Sequence, residues 1–208
     1  MKIDQQTYGA NHEVQHSIQT TGWFRFCQGP ELKRILILGT SGAGKTTLAA
    51  RLSAQLGLPH IASDPFYWER GWRPAPADAV RQRLSDATAG DQWVLDGNCV
   101  TDRDIVWARA DTAVWLDYSR ALVMRRVTVR NLRWAASGKA VWSGNRMTWG
   151  RAWSGVAHAR KGYAQKSATY PGYFSEFPHL TVLRFSAPRE TERWLKNVRS
   201  AENGQQQP

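Results

Sequence analysis

Residues 35–56 read ILILGTSGAGKTTLAARLSAQL, and this stretch decides the fold. Residues 35–38 are an all-apolar run ending in Gly39, the pattern of a strand buried on both faces of a parallel sheet. From Lys45 the spacing changes: Leu48, Leu52 and Leu56 recur every fourth residue on one helical face, and Gly57 follows as a stop. Between strand and helix, residues 39–46 (GTSGAGKT) match G-x-x-x-x-G-K-[ST] in full. Gly39, Gly42 and Gly44 let the backbone bend so that successive N–H groups converge on phosphate oxygens, and the helix N-terminus adds its partial positive charge. The segment is therefore predicted to cradle a nucleoside triphosphate, with Thr40, Ser41, Ala43 and Thr47 completing the cradle. Lys45 would neutralise the β and γ oxygens, and Thr46 would hold Mg²⁺. The plainer alternative is a glycine-rich turn with an incidental lysine.

Working outward, strands and helices alternate. A short apolar piece at 58–62 ends in Ser63-Asp64, and 76–89 is predicted to be helical with Val80 and Leu84 inward. Trp93-Val94-Leu95 closes on Asp96-Gly97 as a third strand, and Thr101 and Asp104 have the spacing of a capping box. Residues 112–116 form a fourth strand; Ser119 is placed to cap a basic helix carrying Leu122, Val123 and Val127 inward. Residues 181–185 alternate as a last strand, and Pro188 opens a final helix with Trp194, Leu195 and Val198. Strands joined by helices of this length give an α/β fold with a parallel sheet covered on both sides. Residues 135–175, rich in Trp, Arg, Gly and Ser, fit the alternation poorly and read as an inserted, mobile subregion, and 201–208 as a fraying polar tail.

Three acids close predicted strands, where ligands gather in parallel sheets. Asp96 ends an apolar strand and is placed to hold the magnesium ion directly or through water. Asp64 precedes Pro65-Phe66-Tyr67-Trp68, an aromatic patch that could wall an acceptor pocket, so it reads as acceptor-binding, as general base, or as a turn residue before proline. Asp117 reads equally as a turn or capping acid. Arg126, Arg130 and Arg133 share one helical face, suited to closing over transferring phosphates; Arg126 and Arg130 are the candidates for catalysis beside Lys45 and Asp64, and a solvated basic face is the alternative.

The 208 residues, 42% of them hydrophobic, suffice for one domain with a sizeable core: a polar extension at 1–30, a body at 31–200 with a lid at about 125–175, and the tail. No apolar run approaches the roughly 20 residues needed to span a bilayer, and 1–30 lack a secretory apolar core, so a cytoplasmic protein is expected. Cys27 and Cys99, with no metal-type spacing, read as free thiols. Residues 118–175 hold eleven of the 28 Lys and Arg and no acid; the remaining 17 bases match the 17 acids, so the net charge of +11 sits in this segment. Such a block selects anionic company: triphosphate, an acceptor phosphate or nucleic acid. Trp134, Trp142, Trp149 and Trp153, interleaved with Lys139, Arg146 and Arg151, could stack on nucleobases or pack into a lid.

With these residues in hand the chain resembles the P-loop kinases related to adenylate kinase, and more closely the bacterial topology-modulation (FlaR-like) and adenylate-kinase-related ATPases. The shared words are GTSGAGKTTLAARLSAQLGLPHI with Asp64 soon after, WVLDGN, ADTAVWLDYSR, the Arg-rich segment, WSGNR around Asn145, and SAPRETERWL, over roughly 33–198. The resemblance implies a five-stranded sheet of order 2-3-1-4-5, a lid after the fourth strand, and an adenine slot at Ala187, Pro188 and Arg189. Asp96-Gly97 stands for the Asp-Gly that precedes Phe-Pro-Arg in adenylate kinases, with Asn98-Cys99-Val100 following here, and no Arg opens the helix after Asp64. Two functions follow as expectations: an ATP-dependent, Mg²⁺-requiring phosphotransferase acting on a small molecule or nucleotide, or a nucleic-acid-associated ATPase gripping a strand through 118–175.

Overall fold

The computed structural model describes residues 32–205 except 139. Expectations for 1–30, for Cys27 and for Lys139 fall outside the described residues.

Strand β1 (Arg34–Gly39) is the centre of a five-stranded sheet. It pairs in parallel with β5 (Trp93–Asp96) on one side and β6 (Thr112–Leu116) on the other, so that Ile37 lies level with both Asp96 and Val114. Strand β2 (His60–Ala62) adds beyond β5, and β7 (Thr181–Phe185) beyond β6, again in parallel. Counting only this sheet's strands, the order is 2-3-1-4-5, as the resemblance implied. All carboxyl ends therefore point one way, and Gly39, Asp64, Asp96 and Asp117 meet at one edge.

The alternation along β1 sends its side chains into two cores. Ile35 and Ile37 pack with Leu48 and Leu52 of α1 (Lys45–Leu56) and Trp194, Leu195 and Val198 of α7 (Pro188–Gln205). Leu36 and Leu38 pack on the other face with Val80 and Leu84 of α3 (Ala77–Ala87) and Val106 and Trp107 of α4 (Arg103–Arg109). All four β1 residues are fully buried, which is why the strand reads as continuous rather than alternating. Helix α7 continues through Gln205, into the stretch expected to be a tail.

The largest departure lies at 135–175. Where the sequence showed no regular element in this inserted subregion, α5 (Arg120–Ser137) leads through a short 3-10 turn at Trp142–Gly144 into α6 (Trp149–Ser175), a 27-residue helix capped by Thr148. Four glycines and Pro171 lower its intrinsic propensity, but packing supplies what propensity lacks. Ala152, Gly155 and Ala159 bring its first turns against α5, and Tyr170 is buried against Trp107 and Trp115, with ring centroids 5.9 and 5.6 Å apart.

Smaller departures concern caps. Thr101 and Asp104 do not form a capping box: residues Val100–Asp102 make a 3-10 turn, the Thr101 hydroxyl donates to Asp102, and Asp104 pairs with Arg81. Ser119 occupies the N-cap of α5 without a side-chain bond. A hairpin of β3 (Trp68–Glu69) and β4 (Arg73–Pro74), absent from the sequence reading, follows the one-turn helix α2 (Asp64–Tyr67).

Candidate active site

The turn from β1 into α1 has the backbone that the motif requires. Gly39, Gly42 and Gly44 all lie at positive φ (149°, 90° and 104°), a region open to glycine but strained for other residues. At Gly42 the restriction is doubled, because an added Cβ would sit 2.8 Å from the Val123 carbonyl oxygen of α5. Gly44 takes the N-cap of α1 without a side chain to cap it, so the first amides of the helix face outward toward whatever anion arrives. The Lys45 ammonium donates to the Gly39 carbonyl at 3.0 Å, folding back over the loop, and the Gly39 amide is held by Asn98 Oδ1 at 3.0 Å. Thr46 and Thr47 are exposed on the first turn, and Ala43 is buried beneath it.

Helix α5 crosses directly over this loop. Arg126 donates to the Ala43 carbonyl at 3.2 Å, and Arg130 to the Ser41 hydroxyl at 2.9 Å. Arg133 and Arg125, by contrast, are exposed, and Arg133 does not join its two face-mates at the loop. Asp96 is buried at the end of β5, where its Oδ2 meets His60 Nε2 at 2.9 Å. Asp117 is tied to the neighbouring strand by Arg184, 2.5 Å away, which favours its structural reading. Arg189 is exposed at the start of α7 and is not among the residues lining the cavity described next. The turn before it is closed instead by Glu190, which accepts from the amides of Ser186 and Ala187.

A cavity of about 430 Å³ opens from the loop between α5, α6 and the hairpin. Thr40, Ser41 and Lys45 form its floor, and Asp64 enters from α2. Its far wall is aromatic: Trp68, Trp72, Trp142 and Trp134 follow one another edge to face, with centroids 5.6, 6.0 and 6.1 Å apart. Arg151 lies over Trp72 at 5.1 Å and Arg130 over Trp134 at 4.7 Å. The tryptophans of the basic segment thus divide. Trp134 and Trp142 line the cavity, whereas Trp149 and Trp153 are each 58% exposed. From the earlier aromatic patch, Trp68 lines the cavity and Phe66 and Tyr67 pack against the core.

Half-buried charges of both signs converge here. Burial lifts the Asp64 carboxyl above its ordinary range, against the pull of Lys45. The same desolvation lowers Lys45 and Arg130, with Asp64 opposing in both cases. Lys166, on α6, is lowered to about 8 by burial and by Lys45, again with Asp64 opposing. Cys99 is free and buried, and burial pushes its thiol up to about 11.

Two contributors were given no role in the sequence reading. Lys166 sits in a segment read as irregular, and the only signal for it is the helical spacing of Gly155, Ala159, Gly162 and Lys166, all four of which line the cavity. Asn145 is the second. It ties the hairpin to the 3-10 turn before α6, accepting from the Trp72 amide and donating to the Glu69 and Trp142 carbonyls, each at 2.9 Å.

The arrangement tests well against a magnesium nucleotide. The loop has the positive-φ glycines of a phosphate cradle, the Lys45 ammonium folds back over it, and Thr46 and Asp96 would offer hard oxygen ligands to a magnesium ion. Among the described residues no group of three or more His, Cys, Asp or Glu is placed to hold a metal alone.

The chain has a P-loop NTPase fold. No family model matches it. It is 30% identical over 103 residues to the uncharacterized protein YqaC of Bacillus subtilis (strain 168), covering 49% of this chain and 58% of that one. It is 35% identical over 68 residues to a cytidylate kinase of Nitratidesulfovibrio vulgaris, 32% of this chain and 29% of the kinase. The chain thus spans less than two thirds of either relative's length. Among solved structures, the shikimate kinase from Acinetobacter baumannii in complex with shikimate superposes with a TM-score of 0.48 at 17% identity, over 85% of this chain and 96% of the kinase. No helix among the described residues is long and apolar enough to cross a membrane.

Proposed function

We propose that the chain is an ATP-dependent phosphotransferase that moves the γ-phosphoryl group of Mg-ATP to a small-molecule acceptor. The observation that carries this reading is the continuity of the two halves of the site: Lys45 of the loop and Asp64 of α2 line one cavity that extends away from the loop under α6. A nucleotide-binding loop that only switches conformation has no need of a walled chamber on the γ-phosphate side. The cytidylate kinase stretch supports the same class of chemistry.

In this reading residues 39–47 wrap the phosphates, and Lys45, Arg126 and Arg130 offset the charge that spreads over the transferring group. Thr46 and Asp96 would hold Mg²⁺, which when bound would offset negative charge on the phosphates. Asp64 receives the proton of the acceptor hydroxyl, or orients an acceptor phosphate through its partners; its raised proton affinity is in the direction a general base needs. Arg189 stays a candidate for the base end of the nucleotide, on the resemblance alone.

The test is incubation of the full chain with γ-labelled ATP and a metabolite extract, wild type beside Lys45→Ala. Label in a small organic product that depends on the lysine supports the proposal. Label appearing only as free phosphate, and faster with DNA present, would instead favour a nucleic-acid-stimulated ATPase.

A further inference from the structure

Of the charged groups lining the cavity, most have a partner or a task. Lys45 is bonded to Gly39 and Arg130 to Ser41, which commits both to the phosphate side. Arg151 is stacked on Trp72. Lys166 differs from these: among the described residues it makes neither a hydrogen bond nor an ion pair, although it projects from the α6 face that lines the chamber. Its one attractive charge is Asp64, and Lys45 repels it. A desolvated ammonium without a bonded partner is costly to keep, and in a ligand site the missing partner is supplied by the ligand.

The neighbouring surface has room for that ligand. Gly155, Ala159 and Gly162 precede Lys166 on the same face of α6 and leave room along that strip, while Arg151, Ser154 and His158 of the same helix also line the cavity. Opposite stands the wall of four tryptophans. Arg151 and Arg130 lie over Trp72 and Trp134, and the ring surface that they leave in the wall can pair with another flat or cyclic body, in a cavity of about 430 Å³ whose floor is the phosphate side.

We infer that Lys166 is the anchor for an anionic group on the phosphoryl acceptor, and that the acceptor is a ring-bearing anion whose ring lies on the wall formed by Trp68, Trp72, Trp134 and Trp142. This rests on the phosphotransferase reading and specifies its substrate class. The anionic group can be a phosphate or a carboxylate; the ammonium accepts either as a point-charge partner. Its lowered proton affinity, caused first by burial, fits a group that takes its counter-charge from a ligand.

Binding is measured by calorimetry on the full chain with magnesium and a non-hydrolysable ATP analogue. The probes are uridine 5′-monophosphate against uridine, 4-hydroxyphenylacetate against its amide, and the ringless glycerol 3-phosphate. The inference expects at least one anionic ring compound to bind about tenfold or more tightly than both its neutral counterpart and glycerol 3-phosphate, the worth of one charge-assisted bond. The phosphate and carboxylate arms separate the two sources of charge. Lys166→Gln should remove that tenfold advantage and Lys166→Arg should keep most of it, while analogue affinity stays within about twofold, which also reports that the variants are folded. If neither anionic ring probe gains over its neutral counterpart, or if Lys166→Gln weakens only the analogue, the inference is wrong and the phosphotransferase reading survives. Failure of the wild-type chain to bind the analogue at all would overturn both.

Discussion

The two halves of the site are built in opposite ways. The loop at 39–46 is eight consecutive residues whose work is done largely by main-chain amides and one lysine, between a strand and a helix that the same stretch specifies. The chamber draws side chains from α2, the hairpin, α5, a 3-10 turn and α6, and none of its walls is complete without a distant partner. A phosphate cradle needs glycine at fixed positions and little else. A chamber for one particular molecule needs shape, and shape is a tertiary property. The difference separates what is generic in this protein, the nucleotide, from what is particular to it, the acceptor.

The largest expected effect is on the generic side. Lys45→Ala should lower phosphoryl transfer by about 10²–10³-fold, as loss of one preorganised charge does in other sites, read as labelled product per unit time. A loss below tenfold would mean that the loop is not where the γ-phosphate sits.

Next comes the same substitution placed once in each half. At Gly42 an alanine meets the backbone of α5 at 2.8 Å and must hold φ near +90°; overpacking and strain together should remove about 2–4 kcal/mol of stability in denaturant melts. At Gly155 the alanine meets Asn131 Nδ2 at 2.7 Å, a side chain that can turn away at the expense of its bond to the Ala152 carbonyl. That loss of about 1 kcal/mol is nearly offset by the helix preference for Ala over Gly. Gly155→Ala should thus leave stability almost unchanged while narrowing the chamber and raising the acceptor KM. A costlier Gly155→Ala than Gly42→Ala would erase the contrast between a rigid loop and an adjustable chamber.

The same contrast explains what could be read from residue order. Strands 93–96 and 112–116 were legible as short apolar runs with a turn signal after them, 181–185 by its alternation, and the loop because its motif is local. Helix α6 was not, because Pro171 and four glycines argue against a helix unless Trp107, Trp115 and α5 are known to lie beside it. Arg126 and Arg130 were found by spacing, but the same spacing also nominated the exposed Arg133, since periodicity names a face and not how far along it the loop reaches. The Thr101–Asp104 box failed for a similar reason: Arg81, twenty-odd residues earlier, competes for the carboxylate. Asn145 stood out only as part of a shared word, and its three bonds to the hairpin and lid supply the physical content.

Asn145→Ala tests whether the hairpin and lid act as one wall. Removing three bonds from a buried amide should cost about 1–3 kcal/mol and free the Trp72 turn from the lid. Acceptor KM should rise several-fold while ATP KM holds, measured by initial rates with each substrate varied in turn. Equal rises in both would show that the two halves are coupled more tightly than their construction suggests.

The smallest effect is the sharpest for the chamber, because its sign is opposite to that of an ordinary core substitution. Lys166 is lowered from 10.5 to about 8, so between those values the unfolded chain holds a proton that the folded chain has released. Wild-type stability should rise with pH across that window and carry the full cost of burying the ammonium below it. Lys166→Met keeps the length of the side chain and removes the charge, so it should stabilise the ligand-free protein at neutral pH. Lys166 is only partly buried, and solvent screening reduces the gain to about 1 kcal/mol, or roughly 2–4 °C in Tm. The advantage should shrink as pH climbs toward 10.5. A lysine kept at the expense of stability is kept for binding; a fall in Tm at pH 7 on Lys166→Met would make it a structural residue and leave the chamber without its anchor.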